Sequence, residues 1–79
     1  MPHTKKAQLI EELGRRIESG EAPPGSKLPS GRELCAEFGV SMIVVRQAID
    51  WFKAKDMVEG APGSGVYVIG PERRWSERR

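Results

Sequence analysis

The chain has 79 residues, of which 38% are hydrophobic and 30% charged, and this length leaves room for one domain without a second, ligand-binding domain. No apolar run approaches the roughly 20 residues of a transmembrane helix, and no apolar signal core follows the basic N-terminus, so we expect a cytoplasmic protein without membrane contact. The net charge of +2 resides in residues 71–79, because residues 1–70 carry nine basic and nine acidic groups; bulk charge alone therefore does not indicate nucleic-acid binding.

A first amphipathic helix is predicted after Thr4, whose side chain can cap it, and Gly20 is a natural stop. Apolar residues recur in this helix at three- and four-residue spacing: Ile10, Leu13 and Ile17. Gly14 inside the helix costs about 1 kcal/mol relative to Ala, and we expect a close approach by a neighbouring element to compensate.

A stiff connector and a short second helix follow. Residues 21–26 contain two prolines, which exclude a helix and lead into an extended Lys27-Leu28. Ser30 and Glu33 have the S-x-x-E spacing of a capping box, and Gly39 is suited to end the helix. The sequence therefore predicts a helix over about 31–38 that buries three apolar side chains: Leu34, Cys35 and Phe38.

A third helix is predicted over about 42–55, capped by Ser41. Its core stripe comprises Val45, Ala48, Ile49 and Phe52. The opposing face presents Met42, Ile43, Arg46 and Asp50. Asp56 follows the helix at a position where Asp can adopt left-handed geometry at some cost.

The last predicted element is a β-hairpin with strands 57–59 and 66–69 around a Gly/Pro-rich tip at 60–65. The tail 71–79 is either disordered or the start of a linker. Together the elements predict a mainly α fold with a small β-hairpin: a winged helix-turn-helix domain over 1–70, with 71–79 as the tail.

No residues suited to catalysis or metal binding are evident. Cys35 is the only cysteine and His3 the only histidine, so an internal disulfide and a multi-cysteine metal site are excluded. We read Cys35 as a small buried apolar residue. The sequence thus predicts a protein that is not an enzyme and needs no cofactor.

The order of these elements and their motifs resembles the N-terminal winged-helix domain of the GntR family of bacterial transcriptional regulators. The matching motifs are Pro23-Pro24-Gly25-Ser26-Lys27-Leu28-Pro29, Arg32-Glu33-Leu34, Phe38-Gly39-Val40-Ser41, Val45-Arg46-Gln47-Ala48 and Gly63-Ser64-Gly65-Val66-Tyr67-Val68. The resemblance implies a third helix in the major groove of DNA and a hairpin tip at the minor groove.

The resemblance also implies which residues contact double-stranded DNA. The matching positions are Arg32, Ser41, Met42, Ile43, Arg46 and Gly63. Physical chemistry supports these roles independently, because an arginine can bind a guanine edge or a phosphate with two hydrogen bonds. Ser41 and the free amides of the helix start suit a phosphate oxygen.

Two departures from the family pattern affect base reading. Met42 stands where the family usually has Arg, and Ile43 and Val44 stand where it often has Thr. An exposed Met and Ile can contact thymine methyl groups or form a protein-binding patch. The wing tip also lacks the Arg or Lys that would seek a narrow minor groove.

The sequence therefore predicts a sequence-specific DNA-binding transcriptional regulator, a repressor, that binds as a homodimer on adjacent half-sites. One alternative is a protein-interaction winged helix that docks a partner through Met42, Ile43, Val44 and Trp51. Another is an architectural DNA-binding protein without sequence preference. Trp51 lies outside the core stripe and is read either as partly buried packing or as a dimer contact.

Overall fold

A computed structural model of the chain describes residues 4–70, so the predictions for His3 and for the tail 71–79 lie outside the described residues. Three helices precede a hairpin, in the order α1 (Lys5–Ser19), α2 (Gly31–Phe38), α3 (Met42–Ala54), β1 (Val58–Ala61) and β2 (Gly65–Val68). The predicted fold class, a mainly α winged helix-turn-helix, is confirmed. None of the helices in residues 4–70 is long and apolar enough to cross a membrane.

Local sequence signals place the helix ends. The Thr4 hydroxyl accepts a hydrogen bond from the amide of Ala7 at 3.0 Å and begins α1. At the start of α2, the Glu33 amide donates to the Ser30 hydroxyl at 3.1 Å, and the Ser30 amide donates to the Glu33 carboxylate at 2.8 Å. This is the predicted capping box. Gly39 ends α2 with φ at 64°, a left-handed conformation that glycine adopts without steric cost.

The core lies where α1, α3 and the hairpin meet. Its buried side chains on α1 are Leu9, Leu13 and Ile17, and those on α3 are Val45, Ala48 and Phe52. Ile10 of the predicted apolar stripe packs against this core and is partly buried, whereas Leu9, which the spacing did not single out, is fully buried. Ile49, Cys35 and Phe38 are likewise only partly buried.

The wing is a two-stranded antiparallel sheet in which Val58 pairs with Val68 and Ala61 with Gly65. The strands extend closer to the tip than the predicted bounds of 57–59 and 66–69. The Ser64 amide donates a hydrogen bond to the Ala61 carbonyl at 2.9 Å, and this bond forms the tight turn between the strands. The extended segment before α2 joins this sheet: Lys27 forms an isolated antiparallel bridge with Tyr67. The sheet thereby ties the connector to the wing.

Two backbone predictions have different outcomes. Asp56 has φ at 58°, in the left-handed conformation that was predicted after α3. Gly14, in contrast, has no unusually close neighbour. A Cβ there would lie 3.9 Å from Cε1 and Cζ of Phe52, which is ordinary van der Waals contact. The expectation that a close approach explains Gly14 was therefore wrong.

Candidate nucleic-acid interface

The helix-turn-helix is formed by α2 and α3, joined by the short segment from Gly39 to Ser41. The backbone amide of Gly39 donates to the Cys35 carbonyl at 2.9 Å and closes the end of α2. Ser41 then adopts the extended conformation of an N-cap, and α3 begins at Met42. These local constraints fix the direction in which the first turn of α3 leaves the turn.

The predicted DNA-contacting residues of α2 and α3 are all at the surface. Arg32, Ser41 and Arg46 are exposed, and Met42 and Ile43 retain 41% and 69% of their accessible area. Ser41, Met42, Ile43 and Arg46 follow one another around the first turn and a half of α3. The remaining predicted residue, Gly63, is exposed at the wing tip with φ at 77°.

Neither Arg32 nor Arg46 forms an ion pair within residues 4–70. The nearest candidate partner of Arg32 in the sequence, Glu33, is instead engaged with the Ser30 amide in the capping box. Both guanidinium groups therefore keep their hydrogen-bond donors available for a ligand.

The start of α3 offers further donors. The Val44 amide lies 3.4 Å from the Ser41 hydroxyl oxygen, at the long end of the range for a hydrogen bond. This cap is weaker than that of α2, and the first-turn amides of α3 retain donor capacity toward an anionic group.

Met42 is held by a contact that the sequence did not indicate. Its sulfur would lie 2.9 Å, and its methyl carbon 3.2 Å, from a Cβ at Gly31. The Met42 side chain thus packs over the start of α2 in space that only glycine leaves free. The two helices are joined at the surface by this pair, and no local sequence pattern could have revealed it, because the contact depends on how α2 and α3 cross.

Ion pairs concentrate between α1 and α2. The Glu12 carboxylate accepts hydrogen bonds from Arg15 at 2.7 Å and from Arg16 at 2.9 Å, and Arg16 also binds Glu37 of α2. Bonding to the two guanidinium groups lowers the pKa of Glu12 from 4.5 to about 2. Arg16 also lies over the Phe38 ring, 5.8 Å from its centroid. This network has a structural role in joining α1 to α2.

Trp51 lies on another side of α3, with 41% of its area exposed. Its ring meets Phe52 edge-on at a centroid distance of 5.0 Å, and the Lys55 ammonium lies 4.9 Å from the ring centroid. Packing thus covers more than half of the accessible surface of Trp51. In the described part of the chain, no group of His, Cys, Asp or Glu side chains is arranged to hold a metal ion.

A capped helix-turn-helix followed by a two-stranded wing defines a winged-helix domain. Residues 5–68 match the family model of the GntR bacterial regulatory proteins. The chain belongs to the GntR family.

Curated relatives are transcriptional regulators. The HTH-type transcriptional regulator YieP of Escherichia coli K12 is 43% identical over 68 residues, which cover 86% of this chain and 29% of YieP. The mannosyl-D-glycerate transport/metabolism system repressor MngR of the same strain is 39% identical, with coverage of 77% of this chain and 25% of MngR. The chain spans about a quarter to a third of the length of the curated relatives it matches.

Solved structures agree with this assignment. The DNA-binding domain of AraR, in complex with its operator ORR3, is 32% identical with a TM-score of 0.82 over 86% of this chain and 82% of that one. A putative GntR-family transcriptional regulator is also 32% identical, with a TM-score of 0.80 over 87% of this chain and 27% of that chain.

Proposed function

We propose that this chain binds double-stranded DNA sequence-specifically and acts in transcriptional repression, with α3 in the major groove and the wing at the minor groove. The observation that carries the proposal is a capped helix-turn-helix with exposed Arg32 and Arg46, neither of which has an ion-pair partner within residues 4–70. The AraR domain, which has the same fold, was solved with the operators ORR3 and ORE1. Repression is proposed because the relatives MngR and NagR are named as repressors.

Each residue of the interface has a physical role in this proposal. Arg46, one turn inside α3, binds a guanine edge, while Arg32 binds a phosphate or a second base edge. Ser41 and the amides of the first turn of α3 bind a phosphate oxygen. Met42 and Ile43 contact thymine methyl groups, and Gly63 lets the wing backbone approach the minor groove.

The partner in this binding is a second copy of the chain on an adjacent half-site. Two-fold related helix-turn-helix domains read half-sites about one helical turn apart, which places both copies of α3 in successive major grooves of one face. We therefore propose two chains for each palindromic site, with the DNA as the main link between them. The site of action is the bacterial cytoplasm, and the role requires neither catalysis nor a cofactor.

Selection of bound duplexes from a random pool, followed by fluorescence anisotropy on the enriched sequence with random duplex as competitor, tests the proposal. We expect a recurring palindromic motif and a stoichiometry of two chains per site. Arg32→Ala and Arg46→Ala should each weaken specific binding by about 1 to 3 kcal/mol, tenfold or more, without loss of folding. Arg15→Ala is the matched control, because Arg15 is an exposed arginine of α1 that is bound to Glu12 and Glu21.

A second candidate function is a protein-interaction module, favoured by the exposed apolar side chains of Met42, Ile43 and Trp51. This alternative predicts that selection from the random pool yields no recurring motif. It also predicts that Arg32→Ala and Arg46→Ala have the same affinity for duplex DNA as the control Arg15→Ala. Either result would contradict the proposed reading of DNA.

A further inference from the structure

A groove separates α3 from the wing. Its walls include Met42, Arg46, Asp50 and Lys53 of α3, Gly31 of α2 and Val66 of β2, and its volume is about 400 Å³. We call it the α3–wing groove. It lies between the helix proposed to read the major groove and the hairpin proposed to approach the minor groove. A DNA strand that separates two adjacent grooves has to pass between the elements that occupy them.

Two lysines from outside the hairpin reach its glycines. The Nζ atom of Lys53, at the end of α3, would lie 3.2 Å from a Cβ at Gly60. The Cε atom of Lys27, in the bridge beside β2, would lie 2.5 Å from a Cβ at Gly65. Each glycine leaves open space that the end of a lysine side chain occupies, and the lysines reach the hairpin from α3 and from the connector.

The charges around the groove are favourable for a phosphate chain. Lys27 and Lys53 are exposed, and neither has an ion-pair partner among residues 4–70. Lys53 and Arg46 are the cations of the groove lining, and Asp50 is the opposing charge there. The wing tip itself, Pro62-Gly63-Ser64, carries no charge. The cations beside the wing, Lys27 and Lys53, therefore come from the connector and from α3 and not from the hairpin itself.

We propose that Lys53, which lines the α3–wing groove, and Lys27, which lies beside β2, bind phosphates of the DNA backbone at the wing, and so provide the cationic contact that the wing tip lacks. The proposal rests on the proposed DNA-binding function. An ammonium group on a flexible stem binds phosphate as a point charge and reads no base. The two lysines thus contribute affinity and hold the wing at the duplex, without contributing to base preference.

Salt dependence of binding to a short random-sequence duplex tests this role, because phosphate contacts are independent of sequence. The full chain and its Lys27→Gln and Lys53→Gln variants are titrated between about 0.05 and 0.3 M salt. Each variant should lose about 0.9 from the slope of log K against log salt, which corresponds to about eightfold weaker binding at 0.1 M. Lys27→Arg and Lys53→Arg should retain the parent slope.

Lys55→Gln is the matched control. It removes the same charge two residues beyond Lys53, but Lys55 lies on the Trp51 ring, on another side of α3. We expect its slope to equal that of the parent. Asp50→Asn should have the opposite effect and bind the duplex more tightly, since it removes the carboxylate from the groove lining.

Slopes for Lys27→Gln and Lys53→Gln equal to that of Lys55→Gln would overturn the proposal while leaving the proposed function intact. Loss of affinity with an unchanged slope, or with a lowered melting temperature, would assign the lysines a structural role and overturn it as well. Unchanged affinity of Asp50→Asn would place the phosphates outside the groove. A parent chain that binds no duplex at all would instead refute the proposed function, and this proposal with it.

Discussion

Replacing Gly14 by alanine should stabilise the domain, because this glycine stands in the interior of helix α1. Glycine in a helix interior is about 0.8 to 1 kcal/mol less favourable than alanine, because its unfolded backbone has more freedom to lose. The structure shows that the new methyl group has room. Its carbon would lie 3.9 Å from two atoms of the Phe52 ring, a distance of favourable van der Waals contact. We therefore expect a gain of about 1 kcal/mol.

Thermal unfolding followed by circular dichroism measures this gain. For a domain of this size, 1 kcal/mol corresponds to a rise in melting temperature of about 4 to 8 °C. Gly39→Ala is the matched control, because a Cβ at Gly39 also meets nothing within 4 Å, but φ there is 64°. The same added methyl group should cost about 1 to 2 kcal/mol at that position, since an L-residue is strained in the left-handed region. A lowered melting temperature for Gly14→Ala would show that α1 and α3 approach more closely than the structure indicates.

Two further predictions concern charge. Arg15 and Arg16 lower the pKa of Glu12 to about 2, so the stability that Glu12 contributes is present above pH 4.5 and is lost as pH falls toward 2. The melting temperatures of the parent and of Glu12→Gln should therefore differ at pH 6 and converge in acid. A difference that stays constant with pH would contradict the pairing. Met42→Arg should tighten binding to every duplex and shift base preference toward G at one position per half-site, because its aliphatic stem can occupy the space over Gly31 while the guanidinium reaches the DNA. Parallel selections from a random pool check this, and an unchanged motif with unchanged affinity would remove Met42 from the DNA interface.

The order of elements could be predicted from the sequence because its signals are local. Thr4, Ser30 and Ser41 each bond an amide three residues ahead, and such short polar side chains specify a helix start without help from the rest of the fold. Gly39 and Asp56 likewise mark left-handed positions that end α2 and follow α3. The helix-turn-helix and the wing follow from these positions together with the apolar spacing.

Contacts between elements could not be predicted in the same way. Spacing indicated Ile10, Leu13 and Ile17 but not Leu9, which the structure buries completely while Ile10 is only partly buried. The packing of Met42 on Gly31 and the reach of Lys27 and Lys53 to the wing glycines join residues that are 7 to 38 positions apart. Such contacts depend on crossing angles and register, which are properties of the assembled fold.

The distribution of paired and unpaired charges supports the proposed DNA binding by a domain whose residues 1–70 balance to zero. Arg15 and Arg16 of α1 are bound to Glu12 on the same helix, Glu21 in the connector and Glu37 on α2, so these charges largely neutralise one another within the protein. Around α3 and the wing the basic residues lack such partners in the described part of the chain: Lys27, Arg32, Arg46 and Lys53. Because exposed charges are screened over about 10 Å at 0.1 M salt, a nearby phosphate responds to these unpaired cations more than to the balanced total. For the proposed DNA binding, we therefore expect these local cations, and not the net charge, to determine affinity.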